Sequence, residues 1–84
     1  MESQPTIVNN STLEITERQR AVLAGIAAFI RTNHFAPTVA EVSANIGVPS
    51  WVINRELGAL MALGFLAYTP GKHRSFRVLR EVAS

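Results

Sequence analysis

Between Thr16 and Gly64 the chain carries helix start and stop signals at close intervals, which divide its apolar residues into three short helical segments. Thr16 followed by Gln19 matches a capping box, in which a hydroxyl accepts an early helical N–H and the third helical residue reaches back to the cap. A first helix therefore starts near Glu17. Val22, Leu23, Ile26, Ala27, Phe29 and Ile30 recur at three- and four-residue spacing and form one apolar stripe, with Arg18, Arg20 and Arg31 largely off it. The helix is expected to fade around Thr32 to Asn33, because Ala36 precedes Pro37 and is pushed towards extended geometry. Thr38 and Glu41 make a second capping box, and Val39, Val42 and Ile46 share one face of a short helix that ends at Gly47. Val48 and Pro49 form a tight connection, and Ser50 is a third N-cap candidate. The third helix is read from Trp51 to about Leu63, with a core stripe of Ile53, Leu57, Leu60 and Met61 and a left-handed stop at Gly64.

Beyond Gly64 the period becomes β-like, over Phe65 to Tyr68 and again over Phe76 to Leu79. Pro70 and Gly71 between them suit the central positions of a type II turn, since proline presets φ and glycine accepts a positive one. The fold class expected is mainly α with a small β-hairpin, a winged helix-turn-helix of three helices plus a wing. Residues 1–12, rich in Ser, Thr, Asn and Gln, read as a mobile N-terminal tail, 13–80 as the domain and 81–84 as a C-terminal tail.

A chain of 84 residues has room for one core. With no cysteine, neither a disulfide nor a thiolate metal site can stabilise it, and packing must suffice. The longest apolar run, Ala21 to Ile30, falls far short of the roughly 20 residues that span a bilayer, so a soluble, cytoplasmic protein without membrane contact is expected. The net charge of +2 is unevenly placed: residues 50–80 hold Arg55, Lys72, Arg74, Arg77 and Arg80 against Glu56 alone. A basic C-terminal half on a weakly charged body is the asymmetry expected where one face meets a polyanion.

The unit that carries function is the helix, four-residue turn and helix from Thr38 to Leu63, followed by a hairpin with a basic tip and second strand. In a helix-turn-helix the second helix fits the major groove of duplex DNA with its first turns towards base edges. Ile53 faces inward by period, which is expected to leave Trp51, Val52, Asn54 and Arg55 on or near the outer, base-reading face. Asn can pair bidentately with adenine and Arg with guanine. Ser50 and Thr38 at the helix starts, and Lys72, His73, Arg74 and Arg77 in the wing, are the candidates for DNA-backbone contact.

At these residues the chain resembles the N-terminal DNA-binding domain of the LexA repressor family. The matching segments are T-E-R-Q at 16–19, A-P-T-V-A-E-V at 36–42, I-G at 46–47, L-x-x-L-x-x-x-G-F-L at 57–66 and R-V-L at 77–79. The resemblance implies a winged helix-turn-helix, a repressor-like transcriptional regulator, and recognition positions at Trp51, Val52, Asn54 and Arg55. The chain departs from the family in a turn one residue shorter and in Trp51, Asn54 and Arg55, where the family has small and acidic reading residues. The family's own operator is therefore not carried over. Nor is its self-cleaving C-terminal domain expected, since the sole lysine is Lys72 in the wing.

Other readings exist for the same residues. Trp51 can pack on Pro49 and the first helix, lie against DNA, or anchor a protein partner. A basic wing can also serve as a charge-blunted strand edge, which explains one cation more readily than four. Gly58, Ala59 and Ala62 form a small-residue stripe suited to close helix packing inside the domain, with a homodimer contact as the second reading. His34 and His73 lack ligand-like spacing, so no metal is expected, and nothing points to another cofactor or a small-molecule ligand. Six glutamates without an aspartate give no paired-carboxylate motif, the serines lack a base-bearing context, and no Gly-rich phosphate loop is present, so the chain reads as a non-enzyme. The partners expected are double-stranded DNA and a homodimer or a larger regulatory protein. The rival class is a winged-helix adaptor that binds a repressor or polymerase without DNA, marked by an exposed apolar patch at Trp51 and Val52. Duplex RNA is disfavoured because the A-form major groove does not admit a reading helix.

Overall fold

The computed structural model describes residues 15–69 and 71–81, so the expected N-terminal tail, Pro70 and residues 82–84 lie outside the described part. Among the described residues three helices, α1 (Glu17–Asn33), α2 (Val39–Ile46) and α3 (Ser50–Ala62), precede strands β1 (Leu66–Ala67) and β2 (Arg77–Val78). This is the winged helix-turn-helix expected.

Both capping boxes form. In the first, the Gln19 N–H donates to Thr16 Oγ1 at 3.1 Å and the Thr16 N–H donates back to Gln19 Oε1 at 3.0 Å. In the second, the Glu41 N–H donates to Thr38 Oγ1 at 3.1 Å and the Thr38 N–H to Glu41 Oε1 at 2.9 Å. Each box satisfies two backbone donors that a helix start would otherwise leave open. At the other ends, α1 stops on a left-handed His34 and α2 on a left-handed Gly47.

The third helix differs from expectation at its start. Pro49 occupies the cap position and makes no side-chain cap bond, so Ser50 is the first helical residue and not the N-cap. Proline cannot donate, and its fixed φ leads the chain straight into the helix. The C-terminal end follows the Schellman pattern: the Phe65 N–H donates to Leu60 O at 2.9 Å and the Gly64 N–H to Met61 O at 3.1 Å. Gly64 takes the left-handed φ of 85° that this geometry requires, and Phe65 and Leu60 are both buried beside it.

Burial also corrects the rotation of α3. The buried positions are Val52, Ile53, Glu56, Leu57 and Leu60, whereas Met61 is 36% exposed. At about 100° per residue these five cover an arc of about 140°, and Met61 lies about 40° beyond its edge. The same geometry turns Trp51, Arg55, Gly58 and Ala62 directly away from the core. Close helix packing at Gly58 is accordingly not what the fold uses, since a Cβ placed there would meet nothing within 4 Å.

The hairpin is shorter than its β-like sequence. Only Leu66 with Val78 and Ala67 with Arg77 pair in the antiparallel ladder. The flanking residues hold the strands by other means: the Leu79 N–H donates to Phe65 O at 2.8 Å, and the Tyr68 and Phe76 rings stack at 4.6 Å. At the tip the Lys72 N–H donates to Thr69 O at 3.1 Å with Gly71 at φ 80°, as a type II turn demands. Phe65, Leu66 and Phe76 then close the core formed by Val22, Leu23 and Ile26 of α1, Val42 of α2, and Ile53, Leu57 and Leu60 of α3. Among the described residues no helix is long and apolar enough to cross a membrane.

Ile26 and Leu57 sit at the centre of this single core. Ile26→Ala and Leu57→Ala are each expected to remove about 2–5 kcal/mol of stability, visible as a clearly lowered midpoint in thermal denaturation followed by circular dichroism. Melts that superimpose on the parent's would show the helix faces to be wrongly assigned.

Candidate nucleic-acid interface

The turn between α2 and α3 is Gly47, Val48 and Pro49, one residue shorter than the sequence suggested because Ser50 is already helical. Gly47 supplies the left-handed step at φ 84°, and Ser43 Oγ donates to Val48 O across the turn. This short, internally bonded connection fixes the direction in which the first turns of α3 point.

Those turns present Trp51, Asn54 and Arg55 to solvent, with Trp51 66% exposed. Val52 does not join them. It is 4% exposed, at the inner edge of the α3 arc, and so cannot offer its side chain to a base edge. The guanidinium of Arg55 lies over the Trp51 ring, 5.5 Å from its centroid, and Arg55 Nη2 also donates to Glu56 Oε2 at 3.4 Å. Glu56 is itself only 6% exposed and accepts a second bond at Oε1 from Gln19 Nε2 at 3.2 Å. Its burial is not evident from the sequence, where Glu56 enters only the charge balance of residues 50–80. The available signal was its spacing, three residues after Ile53 and four before Leu60.

The polar side chains of the wing divide into those that face solvent and one, Arg74, that turns to the body of the domain. Lys72, His73 and Arg77 are exposed, and among the described residues their side chains form no ion pair. Arg74 is different. Its Nη1 donates to Glu41 Oε1 at 2.8 Å and to Ala36 O at 3.0 Å, its Nη2 donates to Glu41 Oε2 at 3.0 Å, and its guanidinium covers the Phe35 ring at 4.7 Å. A bidentate pair of this kind holds direction as well as charge. Arg74 therefore clamps the wing to the start of α2, which corrects its expected place among the phosphate-facing residues. The clamp holds the Glu41 carboxyl down from its ordinary 4.5 to about 2, chiefly through the hydrogen bonds from Arg74 and then from the Thr38 backbone.

Thr38, Lys72 and His73 line one shallow cleft of about 140 Å³ between the start of α2 and the wing. With Arg74, which lines the same cleft, four of the six backbone-contact candidates are thus brought together. Thr38 is already engaged as the α2 cap, and Ser50 is exposed beside Trp51. Arg77 stands apart from the cleft, lining a groove of about 460 Å³ between α1 and β2 with Ile30, Arg31, Phe35 and Glu81. Arg31 and Glu81 pair there at 3.2 Å.

Comparison with known proteins matches residues 12–75 to the LexA DNA binding domain family. The chain is 33% identical over 69 residues to the LexA repressor of Thermotoga petrophila, covering 82% of this chain and 35% of that protein. It is 29% identical over 68 residues to the LexA repressor of Leptospira interrogans, covering 81% and 34%, and 29% identical over 72 residues to that of Geotalea uraniireducens, covering 84% and 36%. The chain thus spans about a third of the length of the curated relatives it matches.

The clamp has a pH signature. A carboxyl lowered on folding stabilises the protein above its unfolded value, and that contribution is lost as pH falls from about 4.5 through about 2. The midpoint of thermal unfolding should therefore fall more steeply over this window in the parent than in Glu41→Gln. Parallel curves would mean that the Glu41–Arg74 pair contributes nothing to folding.

Proposed function

Because the chain belongs to the LexA DNA-binding domain family, we propose that it binds a specific double-stranded DNA sequence as a repressor-like transcriptional regulator, with α3 in the major groove. The observation that carries this reading is the outer face at the start of α3. Trp51, Asn54 and Arg55 stand there in solvent, opposite the core, on a helix whose entry is fixed by a three-residue turn. Asn54 is assigned to adenine and Arg55 to guanine, and Trp51 offers an apolar surface suited to a thymine methyl. Further along the same face, Gly58 and Ala62 leave the helix without relief, which favours a close approach to the groove.

Lys72 and His73 of the wing, with Thr38 across the cleft, suit a phosphate of the DNA backbone, and Arg77 supplies a further exposed cation. Ser50, exposed at the start of α3, can donate its hydroxyl to the same strand. A single module of this kind covers about 600–1,000 Å² of DNA-facing surface, so a second copy or a larger regulatory partner would add to its affinity. The adaptor reading is not favoured. It required an apolar patch at Trp51 and Val52, whereas Val52 is buried and Arg55 lies over the Trp51 ring.

Selection from a random duplex library should return a preferred sequence, and two inverted half-sites about 10 base pairs apart would mark a two-fold dimer. Against the selected duplex, Asn54→Ala and Arg55→Ala should each cost about 1–3 kcal/mol and shrink the preference over random DNA. Lys72→Ala and Arg77→Ala should weaken both duplexes alike and lower the salt slope by about one per lost contact. Anisotropy titrations across a salt series separate the two classes. An absence of binding even at low salt would overturn the reading, and wing variants that erase the preference while the α3 variants keep it would transfer base reading to the wing.

A further inference from the structure

We propose that Trp51 and Glu56 are positioning residues that hold the Arg55 guanidinium ready for a guanine edge, so that the reading side chain is set before DNA arrives. This rests on the assignment of Arg55 to a base, and it adds which residues determine how well that base is read. An arginine on an exposed helix face has many rotamers, and part of that freedom is lost when it docks on guanine. Here two neighbours already restrict it. The Trp51 ring, four residues back and so on the same face, lies 5.5 Å from the guanidinium, within the range of a cation–π contact. Glu56 holds one Nη2 proton at 3.4 Å.

Glu56 is suited to this because it cannot readily move. Its carboxylate is buried, and its other oxygen is bonded to Gln19 Nε2, whose own Oε1 accepts the Thr16 N–H at the start of α1. The orientation of Arg55 is thus tied back through Glu56 and Gln19 to the backbone of a different helix. A buried carboxylate also needs a compensating cation, and Arg55 is its ion-pair partner among the described residues. A swing of Arg55 fully away would leave that charge uncompensated, which favours base reading with Glu56 still attached. The chemistry permits this: the guanidinium has five N–H groups and Glu56 takes one, so Nη1 and the second Nη2 proton are available for the O6 and N7 of guanine.

The opposite role is physically possible for the same contacts, with Glu56 parking Arg55 away from DNA, and experiment separates the two. The guanine read by Arg55 is first located in the selected duplex as the position whose preference disappears in Arg55→Ala. If no position behaves so, the base assignment and this inference fail together. At the located guanine, Glu56→Gln, which keeps the size but replaces one acceptor by an amide, should reduce the preference about tenfold, within the 5- to 150-fold that a good bidentate pair supplies. Preferences at the other positions should be kept, a pattern that general destabilisation does not produce. Because Glu56 is buried, its variant can lose the fold, and Trp51 gives an independent test from the surface. Trp51→Ala should also reduce the preference at that guanine about tenfold, and Trp51→Phe, which keeps a ring face for the guanidinium, should retain it to within about twofold. Unchanged preference at that guanine in Trp51→Ala and in folded Glu56→Gln would overturn the inference while leaving the proposed function intact. A preference or affinity that rises in Glu56→Gln would assign Glu56 the parking role instead.

Discussion

Two side chains at the third position of a helix, Gln19 of α1 and Glu41 of α2, each tie a helix start to a distant element of this small fold. Each closes a capping box with the threonine before its helix. Each also bonds to an element far along the chain: Gln19 Nε2 donates to Glu56 of α3, and the two carboxylate oxygens of Glu41 accept the terminal nitrogens of Arg74 from the wing. A cap ordinarily contributes about 1 kcal/mol to its own helix. These two also fix where α3 and the wing sit, the elements that the proposed function sets against a duplex.

That economy matters in a chain of 84 residues with no cysteine. The buried arcs set which face of each helix meets the core, but apolar contact is non-directional and leaves finer orientation open. Hydrogen bonds and bidentate ion pairs are directional. In this protein they tie α3 to the start of α1 through Glu56 and Gln19, and the wing to the start of α2 through Arg74 and Glu41. The positive φ of Arg74, 54°, belongs to the same arrangement, since it turns the guanidinium back towards Glu41.

Much of this was legible in the sequence, because the signals involved are local. Thr16 with Gln19, Thr38 with Glu41, and Gly47 and Gly64 act within one helical turn, and they place the helices to within a residue. The rotation of α3 was harder to read, since apolar residues at 52, 53, 57, 60 and 61 fit two arcs about equally well, and the choice fell to a buried Glu56 that composition counts as surface charge. Long-range pairing was not legible at all. Nothing near Arg74 indicates a partner 33 positions earlier, so Lys72, His73, Arg74 and Arg77 look equivalent in the sequence where three face solvent and one clamps. Spacing gives the elements that carry the candidate site, but which of its charged residues face solvent and which are paired depends on contacts between distant segments.

The reading places the outer face of α3 against base edges in the major groove, where the N7 of guanine is exposed and accepts a hydrogen bond. The most direct measurement is methylation interference on the selected duplex, with guanine N7 modified before the protein is added. Binding should be blocked by methylation of at least one guanine within the site, and that interference should disappear in Arg55→Ala. Tolerance of N7 methylation at every guanine, or interference that persists unchanged in Arg55→Ala, would contradict the placement of α3.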